Sequence, residues 1–193
     1  MKDIVITSDS TCDLSVDLLT ANEIAIMPLS VMLGDRTYKD GIDIMPSDIF
    51  RYVDETGELP KTAAPSVEEY ERFFRSFTDE GKTVIHFNIS SKASGSHGFA
   101  LAAAQKIGGS RVYVVDSHAL STGQGLLVLK ACDLREAGKS AAQIYQTVLS
   151  LREKVNTSFI PDTLLYLYKG GRCSPLSYYG AKVVSIHPMI AMK

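Results

Sequence analysis

A segment rich in serine and glycine, residues 88–98, carries the residue types best suited to chemistry in this chain of 193 residues. It follows an apolar run at residues 83–87 and precedes a helix-like run at residues 99–106, which predicts a strand, a polar loop and a helix. Backbone N–H groups at a helix N-terminus lack partners within the helix, and the helix dipole favours negative charge there. The segment therefore predicts an anion site, with the alternative that Ser94 or Ser96 only caps the helix.

Two other polar segments follow predicted strands in the same way, at residues 7–13 and 116–125. Ligands of α/β proteins bind where loops leave the carboxyl ends of the strands, so we expect the three segments to meet. Lys92 is the one lysine or arginine in them, which argues against a polyphosphate, and the sequence has no G-x-x-x-x-G-K-[ST] motif. Gly123 and Gly125 lack the third glycine of a dinucleotide-binding motif. A nucleotide site is therefore disfavoured.

A serine hydrolase is one alternative function for these loops. It would use the Ser94-Gly95-Ser96 segment, and Asp116 and His187 follow it in the chain order of a catalytic triad. The segment lacks the first glycine of the G-x-S-x-G motif, which the strained turn around the nucleophile needs. His97 stands next to a glycine and is expected to be a solvated loop residue. The hydrolase interpretation is therefore the weaker one.

A phosphotransferase is the second enzymatic alternative. Asp9 and Asp13 could form a phosphoryl-accepting pair, but Thr11 stands where such enzymes have the second aspartate of D-x-D. We expect Asp9 to accept hydrogen bonds from its own loop instead. His86 lies within a predicted strand and is expected to be a core or surface histidine with its hydrogen bonds satisfied.

The surrounding pattern alternates short runs rich in Ile and Val with amphipathic runs. The predicted strands are residues 3–8, 24–33, 83–89 and 111–116. Capping boxes, in which a serine is followed three residues later by Glu or Gln, predict helix starts at Ser66 and Ser140. Gly34-Asp35 has the length and glycine placement of a two-residue hairpin turn. Strands alternating with helices predict an α/β fold of three layers, with helices on both faces of a mainly parallel sheet.

Composition excludes several classes of protein. The net charge is −2 and no basic stripe is present, so we expect no nucleic-acid partner. Nowhere do about eighteen apolar residues run together, and the N-terminal apolar run is too short for a signal peptide, so we expect a cytoplasmic protein without stable membrane insertion. The three cysteines are far apart and outside any C-x-x-C, which favours neither a disulfide framework nor a zinc site.

Five segments resemble, in order and spacing, the motifs of the DegV family of bacterial fatty-acid-binding proteins. They read TSDSTCDL (7–14), KTAAPS (61–66), SSKASGS (90–96), VDS with GQG (115–117 and 123–125) and DTL with KGGR (162–164 and 169–172). The resemblance implies two α/β domains, an N-terminal one at residues 1–155 and the beginning of a second, truncated one at residues 156–193. Because family members continue further, it implies a fragment or a naturally short member.

The resemblance also implies a function. Members hold a long-chain fatty acid such as palmitate or oleate, and those best understood are the acyl-binding subunits of fatty acid kinase. They present the carboxyl group to a separate kinase protein, which forms the acyl phosphate. The chain is thus expected to be a lipid-binding carrier and not an enzyme, with the fatty acid as its ligand and without a cofactor or metal.

Site residues carry over from the family motifs position by position. The carboxylate-binding threonine falls on Thr62 and the carboxylate-binding serine on Ser94, with the backbone amide of Gly95 beside it. The arginine after paired glycines, implied as a contact with the kinase, falls on Arg172; the alternative is a surface arginine paired within the chain. The sequence departs from the family at residues 63–64 and 96–97, so hydrogen bonding within these loops is expected to differ.

The physical chemistry of a fatty acid fits such a site. Hydroxyls and backbone amides can hold one carboxylate without a buried cation, while about fifteen methylenes at roughly 0.8 kcal/mol each contribute on the order of 12 kcal/mol before association costs. The polar loop therefore sets orientation, and apolar walls set affinity. Candidates for those walls, with core packing as the alternative role, are Ile26, Met27, Leu29, Val31, Met32, Phe73 and Phe74.

Overall fold

The computed structural model describes residues 3–108, 111–183 and 188–192. Its strands are β1 Ile4–Asp9, β2 Ala25–Met27, β3 Ser30–Leu33, β4 Arg36–Lys39, β5 Lys61–Ala63, β6 Thr83–Asn88, β7 Val112–Asp116, β8 Thr157–Phe159 and β9 Ile190–Met192. Its helices are α1 Val16–Ala21, α2 Pro46–Thr56, α3 Val67–Thr78, α4 Ser96–Ile107, α5 Ser121–Glu136, α6 Ala141–Arg152, α7 Leu165–Lys169 and α8 Pro175–Val183. A short 3-10 turn at Ser10–Cys12 follows β1.

A parallel four-stranded sheet in the order β2-β1-β6-β7 forms the centre of the fold. The register pairs Ile6 of β1 with Ile85 of β6, and Ile85 with Tyr113 of β7. Parallel pairing brings the carboxyl ends of all these strands to one edge of the sheet. The loops that follow β1, β6 and β7 therefore leave the sheet side by side, as the sequence predicts.

The central strands are buried on both faces, which produces three layers. Side chains of β6 alternate between two apolar clusters, because successive residues of a strand point to opposite faces. One cluster packs against α5 and α6 and includes Ile6, Ile85, Phe87, Val115, Leu127, Val128, Ile144 and Val148. The other packs against α3 and α4 and includes Tyr70, Phe74, Val84, Ala100, Ala103 and Val114. The prediction of a three-layer α/β fold with a mainly parallel sheet is confirmed.

The two predicted capping boxes and the predicted hairpin turn are all present in the structure. In the first capping box, the Ser66 hydroxyl accepts from the Glu69 amide at 3.2 Å, and the Glu69 carboxylate accepts from the Ser66 amide at 2.8 Å. Ser140 and Gln143 form the second box in the same way. The predicted hairpin joins β3 to β4, with Gly34 at φ +56°, a backbone conformation that favours glycine.

One predicted strand, residues 24–33, is instead two strands in different sheets. Pro28 lies between β2 and β3 and has no backbone N–H to donate to a strand partner, so the ladder ends there. After it the chain enters a separate antiparallel sheet in the order β4-β3-β5. Strand β5 and helices α1 and α2 are not marked by the patterns in the sequence.

Residues 157–183 and 188–192 add short elements to this core. Strands β8 and β9 pair antiparallel, and helices α7 and α8 lie between them in the chain. The position of a domain boundary between residues 155 and 156 stays a prediction.

Candidate functional site

The three polar loops meet at a buried carboxylate, Asp9, at the end of β1. Its Oδ1 accepts from the Thr11 hydroxyl at 2.6 Å and from the Gln124 side-chain amide at 2.7 Å, and its Oδ2 accepts from the Ile89 backbone amide at 2.8 Å. Burial raises the pKa of Asp9, and these hydrogen bonds oppose that rise. Asp9 bonds within its own loop, as predicted, and also ties that loop to the other two.

The serine-rich loop is anchored to the loop that follows β7. The Ser90 amide donates to the Ala119 carbonyl at 2.8 Å, and the Ser91 amide donates to Asp116 Oδ1 at 3.1 Å. Burial acts to raise the pKa of Asp116, but hydrogen bonds from Ser91 and His118 outweigh it and hold that pKa below its ordinary value. The backbone that leads to Ser94 is therefore fixed from two sides.

Ser94 lies just before α4, whose N-cap residue is Gly95 and which has no side-chain capping hydrogen bond. Its Oγ accepts from the Ser96 amide at 3.3 Å and lies 2.9 Å from the Ser96 hydroxyl. Ser96 is fully buried, whereas Ser94 is half-buried and Gly95 is exposed. Ser94 and Gly95 thus reach the surface at the N-terminus of α4, where the positive end of the helix dipole favours an anion.

Thr62 lies on the edge strand β5. It pairs with Val31 of β3, and its side chain is exposed. Within the described part of the chain, no hydrogen bond joins Thr62 to Ser94 or Gly95. Its neighbour Lys61 lines a cleft of about 490 Å³ together with Tyr166, Lys169 and Gly170 from the turn before Arg172. The carry-over of Thr62 to the carboxylate site stays a prediction.

Arg172 lies beside the serine-rich loop. Its Nε and Nη2 donate to the Ala93 carbonyl at 3.3 and 3.2 Å, and its Nη1 donates to the Gly170 carbonyl. The side chain is exposed in spite of these bonds. The alternative of an arginine paired within the chain is therefore observed, and the pairing brings a fixed positive charge next to Ser94. The implied contact with a kinase stays a prediction.

A groove of about 830 Å³ opens next to these residues, and its walls come from the serine-rich loop, from the loop before α5 and from residues 159–175 and 190–192. The lining residues are Lys92, Ala93, Leu120, Phe159, Leu167, Tyr168, Gly171, Arg172, Cys173, Ser174, Pro175, Ile190, Ala191 and Met192. Aliphatic and aromatic side chains form most of the wall. The two cationic residues of the lining, Lys92 and Arg172, lie at the end of the groove formed by the serine-rich loop. A ligand with a long apolar part and one anionic end fits this arrangement.

None of the wall residues suggested by the sequence lines this groove. Met27 and Phe74 instead pack in the cluster between the sheet, α3 and α4, and Leu29 and Val31 are also buried. The alternative role of core packing therefore holds for these four residues. The wall residues that the sequence did not indicate lie mainly at positions 159–175 and 190–192, where no regular apolar period marks them.

The glycines of Gly123-x-Gly125 serve packing. A Cβ at Gly125 would lie 2.8 Å from the carbonyl oxygen of Cys12, and one at Gly123 would overlap the side chain of Thr157. Helix α5 can approach the 3-10 turn after β1 this closely only because Gly125 has no side chain. This approach places Gln124, a site residue that sequence reasoning did not identify, against Asp9.

The histidines do not form a triad with the serines in the described ranges. His86 is fully buried, with Nδ1 2.8 Å from the Thr7 hydroxyl, and burial lowers its pKa to about 3. His97 is half-buried in the first turn of α4, with Nδ1 lacking a hydrogen-bond partner, so the expectation of a solvated loop residue is wrong. His187 lies outside the described residues. The buried hydroxyl of Ser96 is poorly placed for a nucleophile.

Two general features bear on the kind of site. In the described ranges, no group of three or more His, Cys, Asp or Glu is placed to hold a metal ion. No helix in those ranges is long and apolar enough to cross a lipid bilayer.

Comparison with known sequences gives a match over nearly the whole chain. The family model described as "Uncharacterised protein, DegV family" matches residues 3–193. A DegV domain-containing protein of Caldanaerobacter subterraneus is 30% identical over 190 residues, which cover 98% of this chain and 68% of that protein. Another, of Deinococcus radiodurans, is 33% identical over 190 residues, which cover 98% of this chain and 67% of that protein.

Comparison with solved structures gives the same family. A DegV family protein from Thermus thermophilus, described by its fatty acid binding, has a TM-score of 0.89 and 34% identity over 99% of this chain and 68% of its own. A stearic-acid-binding protein from Eubacterium ventriosum has a TM-score of 0.87 and 33% identity over 97% of this chain and 66% of its own. The Fatty Acid Kinase (Fak) B3 protein of Streptococcus pneumoniae, loaded with linoleic acid, has a TM-score of 0.83 and 23% identity over 98% of this chain and 68% of its own, a likeness of fold alone.

Proposed function

Because this chain belongs to the DegV family, we propose that it binds a long-chain fatty acid and presents the carboxyl group to a fatty acid kinase. The observation that carries the proposal is the apolar groove whose polar end is the serine-rich loop. Lys92 and Ala93 line the groove, and Ser94 and Gly95 follow them directly in the chain. The solved relatives from Thermus thermophilus and Eubacterium ventriosum, both described as binding fatty acids, support this class of ligand.

The carboxylate is held by neutral donors, and one cation lies nearby. The Ser94 hydroxyl and the Gly95 amide stand at the N-terminus of α4, where an anion is favoured. The guanidinium of Arg172, bonded to the Ala93 carbonyl, adds positive charge at the same end of the groove. Thr62 supplies a second hydroxyl from β5. Hydrogen bonds to a charged group are the stronger kind, so these few donors suffice to orient the ligand.

The tail supplies most of the affinity. A groove of about 830 Å³ falls within the range of about 300–1,000 Å³ typical of small-molecule sites. Leu120, Phe159, Leu167 and Ile190 place apolar surface along it, and each methylene that leaves water contributes about 0.8 kcal/mol. Chains of the length of palmitate or oleate are therefore suitable ligands.

The reaction itself belongs to the partner. The kinase supplies ATP and its own catalytic groups, while this chain holds the carboxyl group in place as a carrier. Arg172 is exposed beside the polar end of the groove, so its charge is available to a carboxylate or phosphate of the kinase. The function as a carrier is supported by the buried Ser96, which leaves the loop without an accessible nucleophile at that position.

Single hydroxyl deletions test the head-group site. Ser94→Ala and Thr62→Ala should each weaken binding of oleate by about 1–3 kcal/mol, the usual cost of removing a hydrogen bond to a charged group. Titration calorimetry measures the affinities, and Ser47→Ala, an exposed serine on α2, is the matched control. Equal oleate affinity of both variants and the wild type would remove Thr62 and Ser94 from the site.

The ligand class has a direct test in native mass spectrometry. The protein purified from a bacterial host should carry a non-covalent mass of the size of palmitate or oleate, which organic solvent extracts. Protein that neither retains nor takes up a fatty acid would contradict the proposal.

A further inference from the structure

A cleft next to strand β5 brings two lysines together from distant parts of the chain. It has a volume of about 490 Å³. Residues 57–61 supply one part of its lining, and Tyr166, Lys169 and Gly170 supply the rest. Lys61 belongs to β5, Lys169 is the last residue of α7, and both side chains are exposed. The cleft therefore offers two ammonium groups to solvent.

Neither lysine forms an ion pair with a carboxylate of the described residues. Glu58, the carboxylate of the lining, instead accepts a hydrogen bond from the Tyr52 hydroxyl at 2.6 Å. Other lysines of the structure do pair with carboxylates, namely Lys39, Lys82, Lys106 and Lys130. The described lining thus carries two positive charges and one negative charge, in a chain whose net charge is −2.

The cleft continues into the surface around Arg172. Gly170 lines the cleft, and its carbonyl accepts from Arg172 Nη1. A Cβ added at Gly170 would lie 3.7 Å from that nitrogen. Lys61, Lys169 and Arg172 therefore form one cationic surface. It adjoins the polar end of the groove, where Arg172 donates to the Ala93 carbonyl.

The chemistry of this cationic surface favours carboxylate side chains over nucleotide phosphates. Phosphate sites commonly use backbone N–H groups at a helix N-terminus, whereas Lys169 and Gly170 lie at the C-terminal end of α7. Leu59, Pro60 and Tyr166 add apolar and aromatic surface beside the lysines, and tyrosine is enriched in protein interfaces. A polypeptide segment with acidic side chains matches both features.

We propose that the cationic surface docks an acidic segment of the kinase, with Asp or Glu side chains facing Lys61 and Lys169. The inference rests on the proposed function and adds to it the chemistry of the partner's contact. Exposed charges of opposite sign raise the rate of association more than they stabilise the complex. The surface therefore steers the kinase toward the end of the groove that holds the carboxyl group.

Charge reversal at the two lysines tests the proposal. Lys61→Glu and Lys169→Glu should each raise the KM of the kinase for the oleate-loaded protein, and the double variant should raise it about tenfold or more in about 0.05 M salt. The rise should shrink in about 0.5 M salt, because mobile ions screen exposed charges. The kcat and the oleate affinity should stay as in the wild type, since neither lysine lines the groove.

Lys139→Glu is the matched control, because this exposed lysine lies just before α6, outside the cleft, and its reversal changes the net charge equally. Lys169→Gln should raise the KM less than Lys169→Glu, and it takes the place of the reversals if they prevent folding. An equal KM for the cleft variants and the control, or a rise that salt does not reduce, would overturn the inference.

Two further outcomes would also overturn it. A loss of oleate affinity as large as the rise in KM would assign the lysines to the head-group site. A rise in the KM for ATP alone would assign the cleft to nucleotide phosphates. Failure of the wild type to bind oleate, or to support acyl-phosphate formation, would instead contradict the proposed function.

Discussion

The two parts of the molecule that meet at the serine-rich loop are held in different ways. On one side, the buried carboxylate of Asp9 binds the ends of β1, β6 and the start of α5 together. On the other, among the described residues beyond Val148, Leu164 alone is buried, and the exposed side chain of Arg172 makes the hydrogen bonds to the loop. Sparse burial lowers the free energy of local opening. The head-group side is therefore the rigid one, and the groove wall formed by residues 159–175 and 190–192 is the adaptable one.

Removal of the Asp9 carboxylate should cause the largest loss of stability on the rigid side. Asp9→Ala leaves the Ile89 amide and one hydrogen of the Gln124 amide without an acceptor, while the Thr11 hydroxyl keeps the Gln124 side-chain oxygen; buried unsatisfied groups cost about 1–3 kcal/mol each. We expect the free energy of unfolding to fall by about 3–5 kcal/mol in urea denaturation. Asp54→Ala, an exposed aspartate on α2, should change it by less than about 0.5 kcal/mol. Equal stability of the two variants would contradict this role for Asp9.

Low pH should reduce the stability of the rigid side, because His86 is protonated only when the chain unfolds. Its pKa is about 3 in the folded protein and near the ordinary 6.5 in the unfolded chain, so only the unfolded chain takes up a proton between these values. Stability is fully present above pH 6.5 and should fall by about 1.4 kcal/mol per pH unit below it, or about 3 kcal/mol at pH 4.

His86→Gln provides the comparison, because glutamine has a donor and an acceptor but does not titrate. The difference in unfolding free energy between the wild type and this variant should shrink as the pH falls from 7 to 4. Taking the difference removes the contribution of the carboxyl groups, including Asp9. A difference that is constant over this range would show that His86 does not set the acid sensitivity.

Arg172 connects the two sides, and its replacement should have the smallest effect on ligand binding by this chain. Arg172→Ala removes exposed hydrogen bonds to neutral carbonyls, so oleate affinity should fall by less than about threefold. Acyl-phosphate formation with a cognate kinase should fall by about tenfold or more, equivalent to about 1.4 kcal/mol. Arg75→Ala on α3 is the control. A variant that loses oleate binding, or that keeps full turnover, would remove Arg172 from the kinase interface.

Sequence reasoning succeeded where a local signal fixes the structure. The capping boxes at Ser66 and Ser140 and the turn at Gly34 involve residues within a few positions of each other, and all form as predicted. The bond from Arg172 to Ala93 joins residues 79 positions apart, and the bond from Gln124 to Asp9 joins residues 115 apart. No periodicity reports such pairs, because they depend on how the strands are ordered in the sheet. The groove walls escaped prediction for the same reason.

The donors to Asp9 come from Thr11, Asn88, Ile89 and Gln124 and are all uncharged, which affects how the protein responds to the ionic strength of its solution. At an ionic strength of 0.15 M, exposed charges more than about 8 Å apart are largely screened, and surface ion pairs such as Lys82–Glu80 contribute little. Hydrogen bonds between a buried carboxylate and neutral dipoles are out of reach of mobile ions. The loops that shape the head-group site therefore keep their arrangement when the ionic strength around the protein changes.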